Sequence, residues 1–204
     1  MNKNAERTVT LDKGRVDIYT KGGITLYAYQ TRDAIDNEVF VLAKEGRGVV
    51  IELPCFYDNI RELTAFLERE GVTVEGKLVA YHAAGASFLP QVPAYGTKSS
   101  DAYNTTGGGA ALVSNFKSIF GDSFDAGICA PNYIMAEGET EIAGIRFVVR
   151  PNAEAYELEI PELNCVYTHM MGHDCHSIVA GCPHADGMIS QLNYYIRRGF
   201  DLVL

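Results

Sequence analysis

At 204 residues the chain has room for one domain with a sizeable core. Apolar residues at 47% and charged ones at 21% are ordinary for a globular protein, so composition points to neither a disordered nor a membrane-spanning chain. Lys+Arg 17 against Asp+Glu 26 leaves a net charge of -9, which argues against nucleic acid or an anionic membrane as the main partner.

The first fourteen residues are polar and carry both signs of charge, with no apolar leader run. The reading is a polar segment over 1–14 and a single domain over 15–204. Five cysteines, an odd number, stand at 55, 129, 165, 175 and 182. Together these predict a reduced, cytoplasmic protein with free thiols, Cys55, Cys129 and Cys165 being buried ones.

Two short strands are predicted over 16–20 and 24–30, joined by the turn Lys21-Gly22-Gly23. A second pair follows over 39–43 and 48–53. Its apolar runs are nearly continuous, as in central strands covered on both faces. Pro54 ends that pair. Asp58 is the expected N-cap of a helix over 59–70, with Ile60, Leu63, Phe66 and Leu67 as its apolar stripe and Gly71 as its stop. Residues 77–81 then form a strand running into His82, and 91–95 a short strand.

Leu112, Val113, Phe116, Ile119 and Phe120 share one face of a second helix over 110–120. Gly107-Gly108-Gly109 lies just ahead of it. Such a run can cradle a phosphate, but it lacks the Lys-Ser/Thr of a nucleotide loop and reads better as a helix entry. A hairpin and strand group covers 134–149, with turns at Glu137-Gly138 and Ala143-Gly144. Strands follow over 156–160 and 164–168. Asp186 caps a third helix in which Met188, Ile189, Leu192, Tyr195 and Ile196 repeat the single-face stripe. Gly199 closes it, and a last strand starts at Asp201.

Four of the five histidines fall between Cys165 and Asp186: His169, His173, His176 and His184, with Cys175, Cys182, Asp174 and Asp186 among them. Imidazole, thiolate and carboxylate bind transition metals and move protons near neutral pH. The fifth histidine is His82, and the chain is expected to fold so that this window meets it. Asp174 reads equally as a turn residue, and His173 and His184 as surface or supporting groups. His176 serves a loop-orienting hydrogen bond as readily as a ligand bond. Cys175 and Cys182 do not have zinc-knuckle spacing.

From His82 and His169 the chain resembles the metallo-β-lactamase-fold hydrolases. The order of elements carries the resemblance, together with Met135-Ala-Glu-Gly-Glu139, Pro151-Asn-Ala-Glu-Ala155, the helix from Asp186 and Arg198-Gly-Phe-Asp-Leu-Val203. It implies an α+β fold, an αββα sandwich of two mixed β-sheets with helices outside and a site along one edge.

The family's His-x-His-x-Asp-His loop, laid on this chain, falls at His82, Ala84, Ala86 and Ser87, so only its first histidine survives. The next ligand falls near 152–154, where Glu154 is the usable group, and the bridging aspartate falls on His169. The resemblance thus implies a metal-dependent hydrolase with an altered centre, one zinc or iron ion, and a small-molecule substrate of ester, amide or phosphoester type. His82, His169 and Glu154 are the catalytic candidates, and His82, His169, His176 and Glu154 the metal candidates. Glu52, Ser87, His173 and Asp174 support them. Two other readings stay open: a metal-free site binding a small ligand, and a fold kept for protein interaction. A stop at this strand would leave an apolar face uncovered, so either the natural chain is longer or a partner subunit covers that face; if 204 residues is the full length, a homo-oligomer is expected.

Overall fold

The structure, a computed structural model, describes residues 5–152, 154–168 and 185–204. Among these residues the strands fall into two sheets. The first runs β1 (Arg7–Thr10), β2 (Gly14–Lys21), β3 (Ile24–Thr31), β4 (Glu38–Lys44), β5 (Arg47–Ile51), β6 (Thr73–Leu78), β7 (Ala94–Gly96) and β8 (Tyr133–Ile134), in that spatial order. The second has the order β13-β12-β11-β10-β9, where β9 is Gly138–Ile142, β10 Ile145–Pro151, β11 Tyr156–Ile160, β12 Cys165–Tyr167 and β13 Leu202–Val203. Strands β1 to β5 pair antiparallel and β5 to β8 parallel, so the sheet is mixed.

Strict alternation sorts each strand's side chains between two cores. Phe40 and Leu42 of β4 face the second sheet, against Ile145, Phe147, Leu158 and Tyr167. Val39, Val41 and Ala43 face the other way, onto Ile60, Leu63, Phe66 and Leu67 of helix α1 (Tyr57–Arg69). On the outer side of the second sheet, Val166 packs under Tyr195 of helix α4 (Ala185–Arg198) and Phe200. The layers are therefore helix, sheet, sheet, helix, and the predicted αββα sandwich is the observed fold.

Local differences from the sequence reading have local causes. Strand β1 lies within the segment read as polar, where no strand is predicted; it is short, mostly exposed and pairs only as an edge. The N-cap of α1 is Phe56, without a side-chain cap bond, because Asp58 sits inside the first turn and ion-pairs with Lys13 and Arg61. The strand before His82 is Thr73–Leu78 rather than 77–81. Helix α2 (Lys98–Thr106) has no apolar stripe to announce it; a capping box of Thr97 and Ser100 starts it. Gly107–Gly109 then joins α2 to α3 (Gly108–Phe120). A Cβ on Gly109 would stand 2.6 Å from Asn104 Oδ1 and 2.9 Å from the Tyr103 ring, so the run serves close helix packing. Tyr133–Ile134 joins the first sheet, not the hairpin after it. That hairpin turns at Ala143 and Gly144, both with positive φ, as a two-residue turn between twisted strands needs.

In α4 the stripe does not face the protein. Tyr195 is buried, but Ile189, Leu192 and Ile196 are 55%, 46% and 75% exposed. The side chain of Met188 lies outside those described. No helix among the described residues is long and apolar enough to cross a membrane.

Candidate functional site

Strand β5 ends at Ile51, and Glu52 follows with φ +61. A residue with a Cβ is strained there, yet Glu52 is only 1% exposed. The bend drives its carboxylate under the chain that leaves β6. One oxygen, Oε1, accepts from Tyr81 N at 2.9 Å and from the Tyr167 hydroxyl; Oε2 accepts from His82 N at 3.0 Å. One buried carboxylate thus fixes the backbone at His82 and ties it to β12 across the sandwich. Burial and the Glu52 charge hold the Tyr167 hydroxyl well above its ordinary pKa, so it stays a donor.

Tyr81 is held from two sides. Its hydroxyl accepts from Asn152 Nδ2 at 2.9 Å, and its ring meets Tyr103 edge-on at 6.1 Å. Burial pushes its pKa up to about 12; the Asn152 hydrogen bond opposes this and the Glu154 charge adds to it. Asn152 Oδ1 also accepts from Glu154 N and Ala155 N, at 3.1 and 2.7 Å, and so closes the turn that carries Glu154. One amide therefore shapes the turn from the second sheet and docks it on the residue before His82. Below, Asn104 of α2 donates to Ala80 O at 2.8 Å.

Beyond His82 the loop is anchored at nearly every step. Cys129 N bonds Ala83 O, and Ala84 bridges to Ile128. Gly85 has φ +93 and passes so close to Pro54 that a Cβ would lie 2.2 Å from its carbonyl oxygen; only glycine fits. Asp125 Oδ2 accepts from Ser87 N at 2.8 Å and Ser87 Oγ at 2.6 Å, while its Oδ1 accepts from Gly127 N. Lys77, itself 2% exposed, donates to Phe88 O and Leu89 O.

Of the candidate residues, the structure brings Glu52 beneath His82 and the Glu154 turn against Tyr81. His82 is half-buried, whereas Glu154 and Ser87 are exposed. His169, His173, Asp174 and His176 lie outside the described residues. Asp125, Asn152, Asn104, Tyr167 and Lys77 were not singled out by sequence. Their roles rest mainly on contacts with partners farther along the chain; only Asp125-x-Gly127 and Asn152-x-Glu154 have a local signal, that of an Asx turn.

The described residues do not by themselves fit a metal ion. They contain no group of three or more His, Cys, Asp or Glu side chains placed to hold one. Ala84 is packed into the cluster around Phe124. Among the described residues this edge carries one imidazole, that of His82.

No protein-family model matches the chain, and no curated protein matches it. Solved structures do. The metallo-beta-lactamase DIM-1, exposed to ceftazidime, aligns over 96% of this chain and 90% of its own at 11% identity, with a TM-score of 0.56. FIM-1 from Pseudomonas aeruginosa, in its mono-zinc form, aligns over 78% and 75% at 10% identity, with a TM-score of 0.51. The B3 metallo-beta-lactamase BLEG-1 covers 66% and 67% at 14% identity, with a TM-score of 0.50. At these identities the likeness is one of fold.

Proposed function

We propose that the chain is a hydrolase with an altered centre at the His82 edge, acting on an ester-, amide- or phosphoester-type small molecule. His82 is its imidazole among the described residues. His169, His176 and Glu154 are the groups proposed to join it. A zinc or iron ion bound by such a set would supply a water that ionises near neutral pH.

The observation that carries this reading is the placement of Glu52. A buried carboxylate without a cation beside it is costly, and so is a positive φ at a glutamate. Both costs fall on one residue whose three hydrogen bonds fix Tyr81, His82 and Tyr167. Tyr167 lies two residues before His169 in the sequence, and the Glu52 contact with Tyr167 is what supports proposing His169 as the partner of His82. Pre-organisation of this kind holds a reacting group within the narrow tolerance that catalysis needs. Asn152 does the same for the turn bearing Glu154.

The loss of donors at Ala84 and Ala86 favours a second reading, a metal-free pocket that binds a small ligand. Metal analysis of untagged protein separates the two. The hydrolase reading expects about one transition metal per chain. It also expects His82→Ala and His169→Ala each to empty the site and lower the melting temperature. Metal-free protein whose melting is indifferent to both substitutions rejects the metal-dependent reading and leaves the second.

A further inference from the structure

The outward stripe of α4 is the feature that the site does not explain. Ile189, Leu192 and Ile196 follow one another at i, i+3 and i+7, and all are exposed. The helix is held to the sheet by other side chains: Tyr195 packs on Val166, and Tyr194 and Arg198 bond Glu159. The stripe thus faces away from the domain over roughly two turns.

We propose that this stripe is the seat of a second copy of the chain, docked antiparallel about a two-fold axis beside Leu192. Charge complementarity selects this occupant and this direction. Asp186, in the first turn, and Arg197, in the last, lie on the same flank of the stripe, each roughly a quarter-turn from its centre. Both are exposed, and neither is in an ion pair among the described residues. With Ile189 level with the partner's Ile196, Asp186 comes within about one turn of the partner's Arg197, and the reciprocal pair forms by symmetry. Antiparallel docking also sets the two helix dipoles against each other favourably. A parallel pair about a two-fold axis would put the two charged flanks on opposite sides of the contact, so Asp186 and Arg197 would find no opposite charge across it. Val203, 48% exposed on the outermost strand β13, is in register with Val166 and so points to the side of the sheet that α4 covers, which extends the apolar surface.

The stripe is narrower than a standard interface, so the dimer is weak, forming over roughly 10–200 µM. Sedimentation of the 204-residue chain across that range tests it. The expected result is a concentration-dependent dimer that Leu192→Asp abolishes. Asp186→Arg and Arg197→Asp should each weaken association at least about tenfold, and the two together should restore most of it. All three positions are exposed, and far-UV circular dichroism on each variant checks that α4 stays folded. A monomer at every concentration overturns the proposal, as does a dimer that survives Leu192→Asp. A double variant that associates no better than the single ones overturns the antiparallel arrangement. A chain that stays monomeric but binds phosphatidylcholine vesicles through the stripe assigns the face to a lipid surface instead.

Discussion

Glu52 and Glu159 are buried alike, at 1% and 3% exposure, but they are held by different chemistry. Glu52 receives two backbone N–H groups and the Tyr167 hydroxyl, and among the described residues no cation touches it. Glu159 receives Arg150 at 2.7 Å, Arg198 at 3.0 Å and the Tyr194 hydroxyl. Both guanidinium groups are close to half exposed, so they keep much of their hydration. The first carboxylate fixes a loop conformation; the second fastens a helix to a sheet. A buried acid with cations around it is an ordinary fastening, whereas one satisfied by two loop N–H groups and a phenol, without a cation, marks a conformation that the fold maintains at cost.

The sharpest way to break the contrast is Glu52→Ala. It leaves a buried N–H group and a buried phenol without that acceptor, each costing roughly 1–3 kcal/mol, and a part-buried N–H group at His82 that costs less because water can reach it. The expected loss is about 3–5 kcal/mol, or a melting temperature lower by roughly 10 °C or more for a domain of this size. Glu52→Gln keeps the shape but turns a donor toward a donor, so it should recover only part of that loss. If Glu52→Ala melts within about 2 °C of the parent, the grip on His82 is not what the geometry implies.

Next comes Glu159→Gln, expected to cost about 1–2 kcal/mol, because its arginines can return to water. Its pH dependence has a defined sign. Burial raises the Glu159 pKa, but the hydrogen bonds from Tyr194, Arg150 and Arg198 outweigh it and hold the carboxyl below its ordinary value. Its contribution is complete above about pH 4.5 and is lost as the pH falls through the lowered folded value. Thermal melts of parent and variant should therefore converge in acid. Parallel curves down to pH 3 would contradict the assignment.

What the sequence made legible follows the range of the interactions. The hairpin at Lys21–Gly23 and the turn at Ala143–Gly144 are written in a few adjacent residues, and so are the doubly covered strands β4 and β5. Helix α2 was not legible, because Lys98–Thr106 is mostly polar and has no apolar stripe; its anchor is Asn104 on Ala80 O, twenty-four positions away. The same holds at the site. His82 and Glu52 are candidates from the order of elements, whereas Asn152 gripping Tyr81 and Asp125 gripping Ser87 join residues 71 and 38 positions apart. For α4, periodicity showed that a single apolar face exists. It could not show which way that face turns, and the sheet is met instead by tyrosines and arginines.

The finest test compares two neighbours on one strand. Glu157 and Glu159 are two apart on β11, so both point out of the sandwich toward α4. Their pKa values move in opposite directions. For Glu157 burial is the largest effect and raises its pKa. The Tyr195 hydrogen bond and Arg150 oppose that rise, and the Glu159 charge adds to it. An acid whose folded pKa is raised binds more protons in the folded chain than in the unfolded one. Stability then falls as the pH rises from about 4.5 through the raised value, the reverse of the Glu159 contribution. Glu157→Gln removes that ionisation while keeping an acceptor for the Tyr195 hydroxyl. Neutral-pH stability should rise by a few tenths of a kcal/mol to about 1 kcal/mol, read as about 1–3 °C in a melt at pH 7.5 and as no gain at pH 4. A variant that is destabilised at both pH values would mean that the carboxylate charge itself is needed under α4. The two glutamates would then act as one acidic seat for Arg150 and Arg198 rather than as opposed neighbours.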